Sequence, residues 1–244
     1  EWQVSEALKL NFNFGLALHN NIIQDTFGFQ SLQIFYPELE KSNTRFLKRL
    51  SGTANYQLED WIVNLGLSYG ERAPSVSEAY GFYLFNSFDK YDYVGNPLLE
   101  NEKSTALNFS LAYGKERFFA KFNTSYFYIL DYIIGIPNKD LVAMTIGGAG
   151  VRIYQAIPSA QLSNFSLDLT YQILPELLWT QKLSYRRGVG ETVGNLPMIQ
   201  PFSYNTNLSF TYQQYKANLN FLYQATQEKI NLEFGEKPLP AYYL

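Results

Sequence analysis

Residues 8–19 read LKLNFNFGLALH. One parity carries Leu8, Leu10, Phe12, Phe14, Leu16 and Leu18, and the other carries Lys9, Asn11, Asn13, Gly15, Ala17 and His19. Successive side chains of a β-strand point to opposite faces, so this alternation predicts a strand with one apolar and one polar face. The pattern recurs at about 45–58, 61–72, 104–114, 117–130, 156–173, 177–187, 202–212 and 215–225. Another strand begins at Tyr242-Tyr243-Leu244. The expectation is nine long strands and the start of a tenth.

The connections alternate in length. Glu59-Asp60, Gly114-Lys115-Glu116, Leu174-Pro175-Glu176 and Gln213-Gln214 are tight turns. Between them lie long connections at about 20–43, 73–103, 131–155, 188–201 and 226–241. A soluble sandwich has turn signals every 8–12 residues or so and would not alternate in this way. An up-and-down barrel with short turns on one rim and long loops on the other does. Aromatics flank each tight turn on the apolar parity: Tyr56 and Trp61, Tyr113 and Phe118, Tyr171 and Trp179, Tyr212 and Tyr215. Amphipathic rings gather at a bilayer interface, where an apolar body and a wet edge are both satisfied.

Composition agrees. The 244 residues include 20 Tyr and 19 Phe, with 17% charged residues and a net charge of −3. There is no apolar run long enough for a spanning helix. A mean hydropathy of −0.20 is what alternating faces average to. The fold class is therefore all-β: an antiparallel up-and-down transmembrane β-barrel, with residues 1–244 part of one barrel domain.

Chemistry is sparse. The chain has no cysteine and a single histidine, His19, which lies on the polar parity at a strand end. Gly147-Gly148-Ala149-Gly150 lacks the Lys-Ser/Thr of a phosphate loop, and Asp89-Lys90-Tyr91-Asp92 lacks the glycine and terminal glutamate of a calcium loop. The Asn-x-Ser triplets at Asn108, Asn123, Asn164 and Asn207 fall mid-strand on the polar parity, so they read as lumen-facing polar residues. No nucleophile–base pairing is recognisable, and no basic aromatic signature for nucleic acid is present. The expectation is a chain that is not an enzyme and has no cofactor, metal site or nucleic-acid partner.

The polar parity is nevertheless rich in bases: Lys9, Arg45, Arg49, Arg72, Lys121, Lys182, Arg186 and Lys216, against Asp168 as the clear acid. Either these pair with acids elsewhere inside the barrel, or they form a basic lumen wall that attracts anions. Arg49, Arg72, Lys121, Lys182 and Arg186 are the candidates for such a wall. Lys48 and Arg187 sit instead on the apolar parity near the long-loop rim, where their stems can snorkel toward anionic lipid headgroups or lipopolysaccharide. Among the loops, 71–104 holds Tyr80, Tyr83, Phe85, Tyr91 and Tyr93. These either bury against one another to order the loop or form a binding mouth that contacts substrate.

The same loop carries a resemblance. Arg72-Ala73-Pro74-Ser75-Val76-Ser77-Glu78-Ala79-Tyr80 followed by Gly95-Asn96-Pro97-Leu98-Leu99-Glu100-Asn101-Glu102-Lys103-Ser104 resembles the barrel signature of TonB-dependent outer-membrane receptors. Leu196-Pro197-Met198-Ile199-Gln200-Pro201-Phe202 is similar to that family's Leu-Pro-x-Ile-Pro-Pro run, with Gln200 in place of a proline. Phe165-Ser166-Leu167-Asp168-Leu169, Phe234-Gly235-Glu236 and Pro240-Ala241-Tyr242 are weaker matches. The resemblance implies a 22-stranded barrel of the bacterial cell outer membrane, filled by an N-terminal plug that contacts TonB. It implies active import of a scarce solute such as a ferric siderophore or other metal complex. On this reading the chain is a fragment, about half of a parent barrel and without its plug. A passive diffusion porin is the alternative, and an assembly or adhesion barrel a third.

Overall fold

The computed structural model describes residues 2–244. The elements in chain order are β1 Trp2–Gln3, β2 Leu8–Ile22, α1 Thr26–Gln33, β3 Ser42–Leu58, β4 Trp61–Arg72, α2 Val76–Tyr80, β5 Leu84–Asn86, β6 Tyr91–Val94, β7 Glu102–Lys115, β8 Phe118–Asn138, β9 Gly150–Leu174, β10 Leu177–Gly190, β11 Gly194–Asn195, β12 Ser203–Tyr212, β13 Tyr215–Gln224 and β14 Tyr242–Tyr243. One sheet runs β1-β2-β3-β4-β7-β8-β9-β10-β12-β13-β14, each strand antiparallel to its neighbours. It forms an open, curved wall rather than a closed cylinder. The nine long strands are those expected from the period-two pattern.

The short turns are two-residue hairpins with mirror-image geometry. Glu59, Glu116 and Gln213, each the first turn residue, have φ of 48°, 49° and 51°, a geometry that matches the right-handed twist of the flanking strands. The second hairpin closes at Glu116-Arg117, one residue later than the sequence suggests, because Lys115 still pairs with Phe118. At Pro175 the ring holds φ negative. That hairpin instead absorbs an extra residue, Ile173, through a register shift between Leu177 and Leu178.

Register places the apolar parity on the convex face. Phe12, Phe14 and Leu18 are 69%, 72% and 75% exposed to solvent. Burying each such side chain is worth about 1.5–3 kcal/mol, so a bare wall of them is unfavourable in water and favourable against lipid. At the short-turn rim the aromatics form a belt. Trp61 pairs with Tyr113, their rings 4.6 Å apart, and Phe118, Tyr171 and Trp179 share one rung.

The long connections differ from the expectation of plain loops. β8 and β9 run on past the wall as a paired extension, from Tyr132↔Ile157 to Asn138↔Val151. Asp131 has φ of 55° and lies opposite Pro158, which has no N–H, so the ladder skips this position. The register continues unshifted past it, but beyond it both parities are apolar, Ile133 buried and Tyr132, Ile134 and Ile136 packed against the Ile157 cluster, which hides the extension from a periodicity reading. Connection 20–43 contains α1, capped by Asp25, and 73–103 contains α2, β5 and β6. β6 pairs in parallel with β9, tying the signature loop to the extended hairpin.

Candidate functional site

The concave face is a polar groove of about 810 Å³, lined by Asn55, Asn64, Asn108, Ser110, Asn123, Ser125, Asn164, Ser166, Lys182, Ser184 and Arg186 among others. Its rungs are regular because each Asn-x-Ser triplet places an amide and a hydroxyl on the same face two residues apart. Asn64, Ser110, Asn123, Ser166 and Ser184 form one rung; Gly66, Asn108, Ser125, Asn164 and Arg186 form the next. Neighbouring strands bond across them, Asn164 Nδ2 donating to Ser125 Oγ at 3.1 Å and Asn123 Nδ2 to Ser166 Oγ at 3.3 Å.

The bases divide into two groups. Arg72 donates to Glu78 at 2.6 Å and to Glu102 at 2.9 Å, so it is neutralised. Lys121 and Lys182 flank Asp168 on one rung, and Lys182 Nζ lies 4.0 Å from its carboxylate. One acid thus stands between two bases. Among the described residues, Arg49, Lys121 and Arg186 have no acidic partner within 4.0 Å. Arg49 is flanked across the sheet by Gly15 and Gly70, so no neighbouring side chain shields its stem.

At the long-loop end, the loop signature forms a staple. Ser75 caps α2 in a reciprocal capping box with Glu78. Burial pushes the Glu78 carboxyl up, but donation from Arg72 and Ser75 outweighs it and holds the pKa below its ordinary value. Glu102 accepts from Arg72 and also from the Ile133 amide at 3.1 Å, so it joins β4, α2, β7 and the extended hairpin. Gly95 presses its backbone on α2: a Cβ there would lie 2.6 Å from Gly81 N. Gly95 N donates to Gly81 O, and Asn96 N to Glu78 O. These signature residues order the loop.

Two interior carboxylates escape a sequence reading. Asp92 is 0% exposed and accepts from Met144 N at 2.7 Å, Thr145 N at 2.9 Å and Thr145 Oγ1 at 2.6 Å. Burial raises its pKa, but the three donors win and hold it below the usual carboxylate value. Asp89 accepts from Tyr93 Oη at 2.6 Å and lies 3.2 Å from Arg152 Nε. Burial and this hydrogen bond push the Tyr93 phenol up. Arg152, 3% exposed, donates to Phe234 O at 2.7 Å and Gly135 O at 3.3 Å, and its guanidinium lies 4.3 Å from the centre of the Tyr91 ring. The only sequence trace of Arg152 is the alternation of Val151 and Ile153 with Arg152 and Tyr154, inside a stretch that reads as a loop.

The candidate mouth aromatics therefore separate. Tyr91 and Tyr93 are engaged inside the loop cluster, the Tyr93 ring 5.2 Å from that of Tyr154. Tyr83 packs edge-on to Phe82 at 5.2 Å with φ of 51°, Tyr80 is half-buried at the C-terminal end of α2, and Phe85 is exposed.

A depressed carboxyl pKa adds stability at pH above the unfolded value, and that stability is lost as pH falls through the folded value. Segment 139–149, held by Asp92, should thus keep its amide-exchange protection near neutrality and lose it as pH drops below about 4. D92N should remove part of that protection at neutral pH and flatten the dependence.

A family model for the β-barrel of TonB-dependent receptor-like proteins matches residues 1–244, the whole chain. The chain belongs to this family. No curated protein sequence matches it. Among solved structures the receptor barrel is similar to the copper transporter OprC, with a TM-score of 0.78 and 18% identity, over 100% of this chain and 36% of that one. It is similar to the ferric-catecholate import receptor Fiu from E. coli K12 (TM-score 0.63, 10% identity, 99% of this chain and 35% of that one). It is likewise similar to the ferric yersiniabactin uptake receptor FyuA from Yersinia pestis (TM-score 0.62, 12% identity, 99% and 35%). The chain spans about a third of the length of each. Identities this low speak for the shared fold.

Proposed function

We propose that this barrel wall belongs to a transporter of the bacterial outer membrane that imports a scarce solute, a ferric siderophore or other anionic metal complex, with energy passed through TonB. The observation that carries this reading is the concave wall on which Arg49, Lys121 and Arg186 lack acidic partners among the described residues. In a cleft with low-dielectric walls, like charges focus their field and raise the local concentration of anions. The amide and hydroxyl rungs between them offer donors and acceptors without trapping the solute at one point. With no cysteine, two methionines and one histidine, the chain is poor in soft ligands for a bare transition metal. That favours an intact chelate as cargo. Fiu and FyuA are named as ferric-chelate receptors, which is consistent with this class, and OprC is named as a copper transporter.

Neutralising the three free bases together (R49Q, K121Q, R186Q) should lower the uptake of a ferric siderophore by about tenfold or more at low ionic strength, and by less at high salt. Uptake by the intact receptor in cells lacking their own siderophore receptors checks this, with membrane levels of the variant as control. Unchanged uptake would sink the anionic-cargo reading. Import should also stop when TonB is deleted; import that persists would favour passive diffusion.

A further inference from the structure

The convex face at the long-loop end of β10 carries a cluster that the import path does not use. Tyr185 and Arg187 are two residues apart on β10, on the face that also bears Trp179 and Leu183. Arg187 Nη1 donates to Asn195 Oδ1 at 2.6 Å, and Asn195 Nδ2 donates to the Ile230 carbonyl at 3.1 Å, which sets the orientation of that amide. From the other side, Lys229 Nζ donates to Tyr185 Oη at 2.8 Å and lies 5.5 Å from the ring centre. The connection after β13 thus lays an ammonium against the outer surface of the wall. Among the described residues, no carboxylate is within 4.0 Å of Arg187 or Lys229.

Two cations held by neutral partners keep donors to spare. Arg187 retains Nε and Nη2, and Lys229 retains two N–H groups. Tyr185 Oη, accepting from Lys229, keeps its own proton free to donate. This donor set suits the oxygens of a phosphate, and a planar guanidinium suits them best. Trp179 lies in the aromatic belt of the short-turn rim, and Arg187 is eight residues farther along the strand. That is about 26 Å along the strand, or about 20 Å across a bilayer at the usual barrel tilt. A barrel's apolar band is about 25 Å tall, so an upturned Arg187 reaches the opposite headgroup level. Tyr185 and Phe165, their rings stacked at 6.4 Å, supply the apolar surface just below for acyl chains.

We propose that Arg187, Lys229 and Tyr185 bind a phosphate of an anionic lipid in the leaflet on the long-loop side. The site rests on the reading that the convex face lies in a bilayer. It takes a lipid rather than a free anion because it opens on the apolar face, with wall aromatics beneath it and the import path on the opposite side.

The test is native mass spectrometry of the intact receptor purified in detergent and titrated with a bis-phosphorylated glycolipid, its dephosphorylated form, or inorganic phosphate. Each base near a charged membrane surface is worth about a fivefold change in binding. K229Q should therefore bind the phosphorylated glycolipid about fivefold more weakly, and the R187Q/K229Q double variant about 25-fold. Dephosphorylated glycolipid should bind wild type as weakly as the double variant does. Millimolar inorganic phosphate should leave the bound glycolipid in place. Equal affinity in the double variant, equal affinity for the dephosphorylated lipid, or displacement by inorganic phosphate would each overturn the site. Failure of the wild-type receptor to insert into phosphatidylcholine vesicles would instead overturn the membrane reading, since that lipid carries no net charge for the cluster to select.

Discussion

Replacing Arg152 with methionine should cost about 3–5 kcal/mol of loop stability, the usual penalty for removing one partner of a buried ion pair. Arg152 is buried among three segments that are distant in sequence. It faces Asp89 in the signature loop, lies on β9 opposite Pro137, and donates to Gly135 on β8 and to Phe234 in the connection after β13. Removing it leaves the Asp89 carboxylate enclosed without its counter-charge, accepting from Tyr91 N and Tyr93 Oη. It also removes the cation held against the Tyr91 and Phe234 rings, at 4.3 Å and 5.2 Å. Hydrogen exchange on the intact receptor should show residues 88–95 and 230–236 losing protection together, while the wall strands keep theirs. A double variant, R152M with D89N, should recover part of the loss, because the uncompensated charge is gone. If R152M alone leaves both segments protected, the guanidinium does not hold the loops together.

The second large effect is expected at Glu102. E102A should cost about 3 kcal/mol, since a charge-assisted hydrogen bond contributes about 1.5–3 kcal/mol and Glu102 accepts several. It takes Arg72 Nε at 3.2 Å, Arg72 Nη2 at 2.9 Å and the Ile133 amide at 3.1 Å. Without it the Ile133 N–H is left unpaired in a buried position, while Arg72 keeps Glu78. The expected signature is directional. Exchange should rise at 132–138, where the extended hairpin leaves the wall, and the α2 capping box should stay intact. E102Q should fall between the two, because its carbonyl can still accept from Ile133 or Arg72. Protection at 132–138 unchanged in E102A would show that the hairpin is held by its own ladder alone.

The wall was legible in the sequence and the loop interior was not, and the division follows the range of the interactions. Period two in 8–19 reports a strand whose two faces meet different surroundings, and that pattern is local. Tight turns at Glu59-Asp60 and Gln213-Gln214 mark the hairpins, and the aromatics beside them mark one rim. From these the order of the long strands and the apolar parity follow, while the register is constrained only within pairs joined by two-residue turns, which have little freedom to slip. The segments that hold Arg72, Glu78 and Glu102 were marked by a family resemblance, but their pairing was not, since the partners lie 6 and 30 residues apart with no periodic relation.

Tertiary structure alone decided the rest. Asp92 meets Thr145 across 53 residues, and Arg152 meets Phe234 across 82. Both faces of the extended hairpin carrying Arg152 are apolar at 132–136, so no polar–apolar alternation revealed it. The tertiary structure also decided which bases are free. On the polar parity Arg49 and Arg72 read alike, yet one stands between two glycines and the other between two glutamates. A strand pattern records which face a side chain takes, because that depends on its immediate neighbours in the chain. Its charge partner depends on where distant loops fold back, and this is settled only when the whole wall is assembled.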